Sequence, residues 1–434
     1  MRGLVVLRCG QNSLHWDWLD ARRENWDLVL CPYQEIDARG HEAHVIPGQK
    51  WDGLGKFFAA HQAWRDYDYI CLPDDDLATD AASLNALFGF CDKFKTSLTA
   101  PALTPDSYFS HPITMRNTEF AARRTSFVEI MMPCFSRAFF QEVLPTFALS
   151  RSGTGFGLDY LWPYMLAYQD IWLCDDIPVH HTRPVGVMRN QRLAALANAD
   201  LQYVHGFGIP ALQKTFGGIG HDGSVQRCDE MGFAERYRGG YAYLANRTPL
   251  LSQLLDRDLA AHEPTVSPTG RDYIRIALEH LAAADRTVSR GRSSRTSSTS
   301  QWSWSVDPAL EASGANDGRL NGLCGFHTSL ELNPWWQVDL GALHGIDSVV
   351  VFNRLDQKLR CVDFDILVSD DGESWSIAFA KRDGLAFGGI DGHPFRHDFV
   401  PSSSGRFLRI QLAGTNFLHL DQVEVFGFPR QNLT

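Results

Sequence analysis

The chain has 434 residues, of which 44% are hydrophobic and 21% charged, and its formal net charge is -11. This length allows two or three domains, and the composition excludes a protein that is disordered as a whole. The acidic balance argues against a general nucleic-acid or anionic-membrane surface, but it leaves room for a local basic pocket that binds a diphosphate.

Short apolar segments alternate with amphipathic ones over residues 1–190. The predicted strands are Gly3 to Leu7, Trp26 to Cys31, Tyr67 to Leu72, Leu98 to Ala102 and Ile171 to Cys174. Such alternation predicts an α/β domain with a mostly parallel sheet and flanking helices. Helical patterns dominate residues 191–287, which we expect to pack on this domain as a mainly helical extension.

The composition shifts to serine, arginine and threonine near residues 286–300, which marks a domain boundary. Beyond it, short segments rich in β-branched and aromatic residues are separated by turn sequences such as Ser369 to Gly372. This pattern predicts an all-β domain, a jelly roll or β-sandwich, over residues 288–430.

Cysteine usage and the terminal sequence bear on the compartment. The nine cysteines are scattered without CxxC spacing, which favours reduced thiols over a disulfide framework or a zinc site. The apolar part of Met1 to Arg8 is too short for a signal peptide, and no stretch approaches the roughly 20 apolar residues of a membrane-spanning helix. We therefore expect a cytoplasmic protein without an integral membrane segment.

Three consecutive carboxylates, Asp74, Asp75 and Asp76, follow the third predicted strand. In an open α/β sheet the carboxyl ends of the strands face the ligand crevice. Alternation along the chain sends Asp74 and Asp76 to the same side, where they could share one hard cation that also bridges phosphate oxygens. On these residues alone, a solvated acidic turn or a helix cap before Ala78 is an equal alternative.

Two later segments carry further candidate site residues. In Gly153 to Asp159, Phe156 offers a flat apolar face to a sugar ring and Asp159 could accept a proton from a hydroxyl. The alternative is an ordinary glycine loop whose aspartate caps the following helix. In Val179 to Pro184, one imidazole could complete a metal shell and Arg183 could meet a phosphate, although adjacent histidines are more often partly buried polar residues.

Several ordered blocks carry a resemblance to known families. Tyr67 to Leu77, Ala100 to Leu103, Val128 to Arg137 and Gly155 to Asp159 resemble, over about residues 1–190, the plant and bacterial family catalogued as DUF707. Their motifs also look like those of GT-A nucleotide-diphospho-sugar transferases, which have a Rossmann-like mixed sheet with flanking helices. The resemblance implies a glycosyltransferase that requires Mn²⁺ or Mg²⁺, a nucleotide-diphospho-sugar donor, and an oligosaccharide or polysaccharide acceptor.

The resemblance to GT-A transferases also implies roles for individual residues. They are Asp74, Asp76 and His180 as metal ligands, Asp75, Arg183 and Lys56 as donor-binding residues, and Phe156 and Gly157 as acceptor-binding residues. Asp159 would be the catalytic base, which would imply inversion of configuration. Pro73 and Phe156 stand where tryptophan is typical of the plant members, so we expect acceptor choice to differ.

The same family has carried a label that connects it with lysine-ketoglutarate reductase, which would predict a nicotinamide site. The GxGxxG match, Gly218 to Gly223, follows a polar stretch and not a strand. It also lacks the βαβ setting with an acidic residue about 20 positions on that ribose recognition requires. We therefore reject a dehydrogenase.

Nearly all of residues 295–430 resembles the F5/8 type C (discoidin) family, nearest to its fucolectin-like branch. The blocks that carry this resemblance include Asn333 to Gly341, Val368 to Trp375 and Leu420 to Gly427. We expect Trp335 and Trp336 to be core residues and sugar binding to occur on loops.

The fucolectin-like resemblance implies a carbohydrate-binding module. In it, His327, Arg354 and Arg360 would donate hydrogen bonds to sugar oxygens and Phe417 would supply an apolar wall. It likewise suggests a structural Ca²⁺ ion near the oxygen ligands Asp317, Asn321 and Glu424. Solvated surface arginines are the alternative, because the arginine spacing is one residue shorter than the family pattern and its paired cysteines are absent.

The sequence therefore favours a metal-dependent, inverting glycosyltransferase whose C-terminal module holds the acceptor glycan. A non-catalytic glycan-binding protein with a degenerate transferase domain is the alternative. A metal-dependent phosphohydrolase ranks last, because the sequence lacks a second carboxylate and histidine cluster of the kind that two-metal sites use.

Overall fold

The computed structural model describes residues 1–19, 23–186, 190–262, 264–283 and 287–430. The chain divides into two compact units, Met1–His205 with Ile209–Ser267, and Gly206–Gly208 with Pro268–Thr434. We call them the N-terminal domain and the C-terminal domain. Among the described residues, no helix has the length and apolar character needed to cross a membrane.

The N-terminal domain is built on one large sheet. Its strands are β1 Gly3–Leu7, β2 Trp26–Leu30, β3 Tyr69–Cys71, β4 Leu77–Ala78, β5 Leu98–Leu103, β6 Ala122–Thr125, β7 Cys134–Ser136, β8 Ile171–His181, β9 Thr215–Ile219 and β10 Val225–Arg227. Its α-helices are α1 Lys50–Ala60, α2 Ala81–Phe94, α3 Arg137–Val143, α4 Leu158–Met165, α5 Gln191–Gly206, which ends just beyond the domain, α6 Phe233–Gly239 and α7 Thr248–Ser252. Short 3-10 helices cover His15–Leu19, Ala63–Asp66, Pro112–Thr114, Leu144–Leu149 and Ala242–Leu244, and a π-helical turn covers Gln253–Arg257.

The strand order is β10-β9-β6-β8-β5-β7-β3-β1-β2, and β4 pairs with β8 outside this path. Strand β1 runs parallel to both β2 and β3, and β5 runs parallel to β8. Strands β6, β7, β9 and β10 pair antiparallel with their neighbours. The sheet is thus mixed, and two strands from the region predicted to be mainly helical, β9 and β10, extend it.

The helix after the acidic segment shows how local sequence fixes an element. Asp80 is the N-cap of α2, because its side chain accepts a hydrogen bond of 2.7 Å from the Ser83 backbone N–H. Leu84, Leu87, Phe88 and Cys91 then recur at helical spacing and enter the core beneath the sheet. The predicted helix from Ala78 therefore begins at Ala81, and the Asp74 to Asp76 segment does not cap it.

The C-terminal domain is an antiparallel β-structure, as predicted. Its strands are β11 Ser294–Thr296, β12 Phe326–His327, β13 Glu331–Leu332, β14 Trp335–Phe352, β15 Phe364–Ser369, β16 Ser376–Lys381, β17 Phe395–Gln411, β18 Thr415–Asn416, β19 His419–Leu420 and β20 Gln422–Pro429. Its helices are α8 Pro268–Ala283 and α9 Pro308–Ala312, with 3-10 turns at Ser313–Ala315 and Lys358–Arg360. Helix α8, predicted as part of the helical extension, thus falls in this domain.

The main sheet of the C-terminal domain has the order β11-β14-β17-β15-β16, and β20 also pairs with β14. Strand β14 is long and changes register between Asp339 and His344, so it bends where a β-bulge interrupts the pairing. Trp336 is fully buried in the core, while Trp335 is half-buried beneath the guanidinium group of Arg409, 4.3 Å from its ring. The predicted core role therefore applies to Trp336 more than to Trp335.

Candidate functional site

The acidic segment begins three residues beyond the end of β3. The backbone N–H of Asp74 donates to the carbonyl of Met131 over 2.8 Å. Lys50, the first residue of α1, places its Nζ 2.7 Å from Asp74 Oδ1 and 2.8 Å from the carbonyl of Ile130. Burial raises the pKa of Asp74 even though the Lys50 ammonium group opposes it.

Asp75 faces the end of β1. Its Oδ2 accepts a hydrogen bond of 2.9 Å from the backbone N–H of Gly10, and Arg183 Nη1 lies 3.3 Å from its Oδ1. Arg183 also donates to the carbonyl of Asn12. Burial raises the pKa of Asp75, against the effects of Gly10 and Arg183. These contacts place Arg183 beside Asp75; the prediction that both residues bind a phosphate-bearing donor stays a prediction.

Asp76 forms an ion pair with His181. The distance from Asp76 Oδ2 to His181 Nε2 is 3.3 Å, and His181 Nδ1 donates to the carbonyl of Tyr108 over 2.7 Å. Burial opposes protonation of His181, but the Asp76 carboxylate outweighs it and raises the pKa of His181 to about 9. Burial likewise opposes ionisation of Asp76, yet the His181 contact lowers its pKa. Within the described part of the chain, the buried Asp76 Oδ1 has no hydrogen-bond partner.

The structure places two of the predicted residues away from the acidic segment. His180 lies on the opposite side of β8 from His181, with its Nε2 3.8 Å from Asp106 Oδ2, because adjacent strand residues face opposite ways. Lys56 lies further along α1 than Lys50, and its Nζ is 2.7 Å from Asp52 at the helix surface. His181 and Lys50 occupy the positions that the sequence analysis gave to His180 and Lys56.

Two further carboxyl groups interact with each other, and one of them, Glu129, also interacts with the acidic segment. Glu129 interacts electrostatically with Asp74, Lys50 and His181, and its burial raises its pKa to about 7. Asp159 is only 7% exposed, and burial together with the Glu129 carboxyl raises its pKa to about 8. Among the described residues, neither Glu129 Oε2 nor Asp159 Oδ1 has a hydrogen-bond partner. The sequence signal for Glu129 was a single acidic residue inside the apolar run from Phe127 to Met132.

The glycine segment before Asp159 is shaped by packing. At Gly155, a Cβ atom would lie 2.2 Å from Trp51 of α1, and at Gly157 it would lie 2.9 Å from Val204 of α5. Both glycines have positive φ angles, 84° and 92°. Gly157 occupies the N-cap position of α4, so Asp159 is not the cap. The half-buried Phe156 lies between these two closely packed glycines.

A cavity of about 410 Å³ opens at the carboxyl ends of β1 and β2. Its lining consists of Gly10, Gln11, Trp16, Glu35, Ile36, Asp37 and Arg39. Since Gly10 also donates to Asp75, the cavity adjoins the acidic segment. The guanidinium group of Arg39 lies 4.3 Å from the ring of Trp16. This lining was not predicted, because its residues lie in loops without a recognisable motif.

The arrangement of the acidic segment bears on the expected metal. Asp74 turns to Lys50, Asp75 to Arg183 and Asp76 to His181, so each carboxylate already has its own cationic partner. Among the described residues, no group of three or more His, Cys, Asp or Glu side chains is arranged to hold a metal ion. These residues therefore do not fit an Mn²⁺ or Mg²⁺ ion held jointly by Asp74, Asp76 and His180.

In the C-terminal domain, the structure brings the four predicted sugar-binding residues together. The rings of His327 and Phe417 lie 5.4 Å apart, and the Arg360 guanidinium group lies 5.5 Å from the Phe417 ring. Burial and the charges of Arg354 and Arg360 lower the pKa of His327, so the imidazole is neutral. Arg354 is held by two hydrogen bonds of 2.6 Å to Asp356.

Two aromatic residues at this site were missed in the sequence. Trp302 lies with its ring 5.2 Å from His327, and the ring of His419 lies 5.1 Å from His327 on another side. Burial and the neighbouring charge of Arg354 lower the pKa of His419 to about 3, so its ring is also neutral. The predicted cluster is thus larger and more aromatic than the sequence indicated.

The residues suggested for Ca²⁺ have other partners. Glu424 Oε1 lies 2.9 Å from Nε2 of His280, a residue of α8. Asp317 Oδ1 accepts a hydrogen bond of 2.9 Å from Gln422 Nε2, and Asn321 Oδ1 accepts one of 2.9 Å from the backbone of Leu323. These contacts do not fit a Ca²⁺ site built on the three side chains, and the His280 imidazole occupies the position beside Glu424.

Comparison with known proteins gives a family for part of the C-terminal domain. Residues 314–410 match the F5/8 type C family model described as a NedA-like, galactose-binding domain. This match confirms the F5/8 type C resemblance within that segment. No curated protein matches the chain, so the resemblance of residues 1–190 to DUF707 and to GT-A transferases stays a prediction.

Solved structures similar to this chain include carbohydrate-binding proteins. A fucose-binding module of Streptococcus pneumoniae is 24% identical and covers 32% of this chain and 94% of that one, with a TM-score of 0.26. The lectin domain of lectinolysin, solved with Lewis b antigen, is 26% identical; the match covers 32% of this chain and 95% of the lectin domain, with a TM-score of 0.26. A fucolectin from striped bass, Morone saxatilis, is 24% identical; the match covers 34% of this chain and 51% of the fucolectin chain, with a TM-score of 0.30.

Proposed function

We propose that this chain is a glycosyltransferase whose C-terminal domain binds carbohydrate. The observation that carries the carbohydrate-binding part of the proposal is the convergence of His327, Arg354, Arg360 and Phe417 at one site, with the first three inside the segment that matches a galactose-binding family. Guanidinium groups donate charge-assisted hydrogen bonds to sugar oxygens, and aromatic rings pack against C–H groups. This domain would bind an oligosaccharide or polysaccharide acceptor.

Transfer of a sugar from a nucleotide-diphospho-sugar is assigned to the N-terminal domain. Its cavity of about 410 Å³ has a volume suited to a small ligand, and Trp16 offers a ring against which the nucleobase of the donor can stack. The unpartnered, buried Asp159 Oδ1 supports a role as the base that takes the proton of an acceptor hydroxyl, because a base works best with a pKa near the working pH. Such direct displacement inverts the anomeric configuration.

Two further parts of the proposal concern the metal requirement and the cellular compartment. Mn²⁺ and Mg²⁺ enter only as variables of the test, since each carboxylate of the acidic segment already has a cationic partner. A reducing compartment such as the cytoplasm is supported by the nine scattered cysteines, since no disulfide joins them in the described part of the chain.

The test measures thermal unfolding of the full chain with UDP-, GDP-, dTDP- and CMP-sugars, with and without Mn²⁺. One nucleotide should raise the melting temperature of the wild type and not that of Asp76→Ala, because a ligand that binds only the folded state stabilises it. Asp106→Ala, which removes an exposed carboxylate beside His180, is the matched control and should respond as the wild type does. If no nucleotide stabilises the wild type under either condition, the transferase proposal fails.

The second candidate is a non-catalytic glycan-binding protein with a degenerate transferase domain. The pairing of Asp74, Asp75 and Asp76 with three separate cations favours it. Binding of glycans by the full chain, with no nucleotide response and no transfer to those glycans, would support this candidate over the first.

A further inference from the structure

A cluster of aromatic and polar side chains lies at the start of helix α4, in the N-terminal domain. Five segments that are distant in the sequence supply one side chain each, and we call the group the Tyr160 cluster. Its members are His111, Phe127, Tyr160, His205 and Gln213. Phe127 is buried, and the other four are half-buried. Convergence of a few polar groups on an aromatic surface is typical of a binding site for a small ligand.

The rings of the Tyr160 cluster are packed on one another. The buried Phe127 lies with its ring centre 4.6 Å from that of His111 and 5.1 Å from that of Tyr160. The ring of His205, a residue of α5, lies 5.5 Å from the ring of Tyr160. The half-buried rings are therefore held in place before any ligand binds, which lowers the cost of ordering them on binding.

The amide group of Gln213 joins two of these rings. Its Nε2 atom lies 2.8 Å from His111 Nδ1 and donates to Tyr160 Oη over 2.6 Å. An amide nitrogen only donates and has two hydrogens, so these two contacts use both of them. Burial lowers the pKa of His111 to about 4, so its ring is neutral. Because Nδ1 of this neutral ring accepts a hydrogen bond, Nε2 carries the hydrogen.

Three hydrogen-bonding groups of the Tyr160 cluster are left for a ligand. The Nε2–H of His111 and the O–H of Tyr160 donate, whereas Oε1 of Gln213 accepts. Within the part of the chain that the structure describes, none of the three has another partner, and none is enclosed as Asp159 Oδ1 is. A sugar hydroxyl both donates and accepts, so two adjacent hydroxyls can satisfy all three groups.

The Tyr160 cluster lies next to the proposed catalytic base. Tyr160 follows Asp159 in the first turn of α4, and the Asp159 carboxyl adds to burial in raising the pKa of Tyr160. Residues 127–130 contact residues 155–160 at both ends, since Phe127 packs on Tyr160 and a Cβ atom on Gly155 would lie 3.0 Å from Ile130. A sugar bound to the cluster would therefore have Asp159 as its neighbouring carboxyl group.

We propose that the Tyr160 cluster binds the acceptor sugar of the transfer reaction. This inference rests on the proposed transferase function, and it gives the acceptor a site in the N-terminal domain that is distinct from the carbohydrate site around His327. His111, Tyr160 and Gln213 bind two adjacent hydroxyls of the acceptor. A third hydroxyl gives its proton to the ionised Asp159 while its oxygen forms a bond to C1 of the donor sugar. The bond from C1 to the diphosphate breaks, and its electron pair leaves with the nucleoside diphosphate.

The test uses the full chain with Arg360→Gln, which weakens the carbohydrate site of the C-terminal domain. Saturation-transfer NMR measures binding of the methyl glycosides of D-glucose, D-galactose, D-mannose and N-acetyl-D-glucosamine, with the nucleoside diphosphate of the donor that stabilises the wild type. Tyr160→Phe and Gln213→Leu should each weaken binding about three- to tenfold, as expected for loss of a neutral hydrogen bond. Tyr243→Phe removes a hydroxyl that donates to the Arg116 carbonyl in the same domain, and should leave binding unchanged.

Thermal unfolding shows whether each variant is folded. Tyr160→Phe keeps its ring, so it still tests the proposal if Gln213→Leu does not fold. If a nucleotide sugar stabilises the wild type but no glycoside binds, or if the glycosides bind both variants as tightly as the Arg360→Gln chain, the acceptor subsite is wrong and the transferase proposal stands. If no nucleotide sugar stabilises the wild type, the transferase proposal fails and the acceptor subsite fails with it.

Discussion

The Nε2 atom of His181 lies 3.3 Å from a carboxylate oxygen of Asp76, and this ion pair joins the acidic segment to the end of β8. The sequence analysis assigned Asp76 to a shared metal ion, whereas its partner in the structure is the His181 imidazole. Both side chains are largely buried, so the energy of the pair depends on their charge states and therefore on pH.

Raising the pH should remove the stabilisation by His181. Its pKa in the folded chain is raised to about 9, so its contribution is fully present below the unfolded value and is lost as the pH rises through 9. We expect the melting temperature of the wild type to exceed that of His181→Asn at pH 6 by an amount equivalent to roughly 2 kcal/mol, and the difference to vanish near pH 10. A constant gap between pH 6 and 10 for His181→Asn would contradict the prediction.

For the buried carboxyl groups, the variant and not the wild type is expected to be the more stable protein. The raised pKa of Asp159, about 8, means that the folded chain holds a proton which the unfolded chain releases, so stability falls as the pH rises from the unfolded value towards 8. Asp159→Asn carries no charge at any pH, and should melt several degrees above the wild type at pH 8 but near it at pH 4. The same variant should lose transfer activity. Glu129→Gln should show the same trend over a lower range, because its pKa is raised to about 7.

Removing the guanidinium group of Arg360 should weaken sugar binding by roughly 10- to 100-fold, as expected for loss of a charge-assisted hydrogen bond worth about 1.5–3 kcal/mol. Arg406→Gln removes an arginine that pairs with Asp339 at the surface of the same domain, and should leave the affinity unchanged. Titration calorimetry with methyl galactoside measures both. Equal affinities of the two variants would show that Arg360 does not contact the sugar.

Chelation should leave the C-terminal domain intact. Glu424 Oε1 lies 2.9 Å from Nε2 of His280, and both side chains are largely buried. We therefore expect EDTA not to change the melting temperature, and His280→Ala to lower it by several degrees because Glu424 is left buried without its partner. A fall in melting temperature on EDTA treatment that Ca²⁺ reverses would overturn this expectation.

The regular strands of the N-terminal domain could be predicted because they are runs of apolar residues, which are usually buried. Gly3 to Leu7 is apolar throughout and is found as β1 with the same ends. Strand β6 could not be predicted, since it contains Arg123, a residue that is usually exposed. The structure buries Arg123 completely, with two hydrogen bonds of 2.9 and 3.0 Å to the equally buried Asp175. Arg123 also donates to Tyr241 Oη, so groups distant in the sequence compensate the burial of its charge.

Site residues show the same limit. The sequence shows that a histidine pair ends β8, but which ring faces Asp76 depends on the strand register, and a shift of one residue exchanges His180 for His181. Similarly, both Lys50 and Lys56 belong to α1, and only the docking of the helix decides which one reaches Asp74. In contrast, the cluster around His327 was predicted, because a resemblance to a family supplied the long-range contacts.

The two strands β9 and β10 determine how this chain can be divided for separate study. A fragment that ends at residue 190 would lose them and leave β6 as an unpaired sheet edge, which invites aggregation. Likewise, a carbohydrate-binding fragment that starts at residue 288 would lose α8 and the His280 that partners Glu424. Cleavage between Ser267 and Pro268 respects both sets of contacts, so expression trials of the separate halves should begin from that bond.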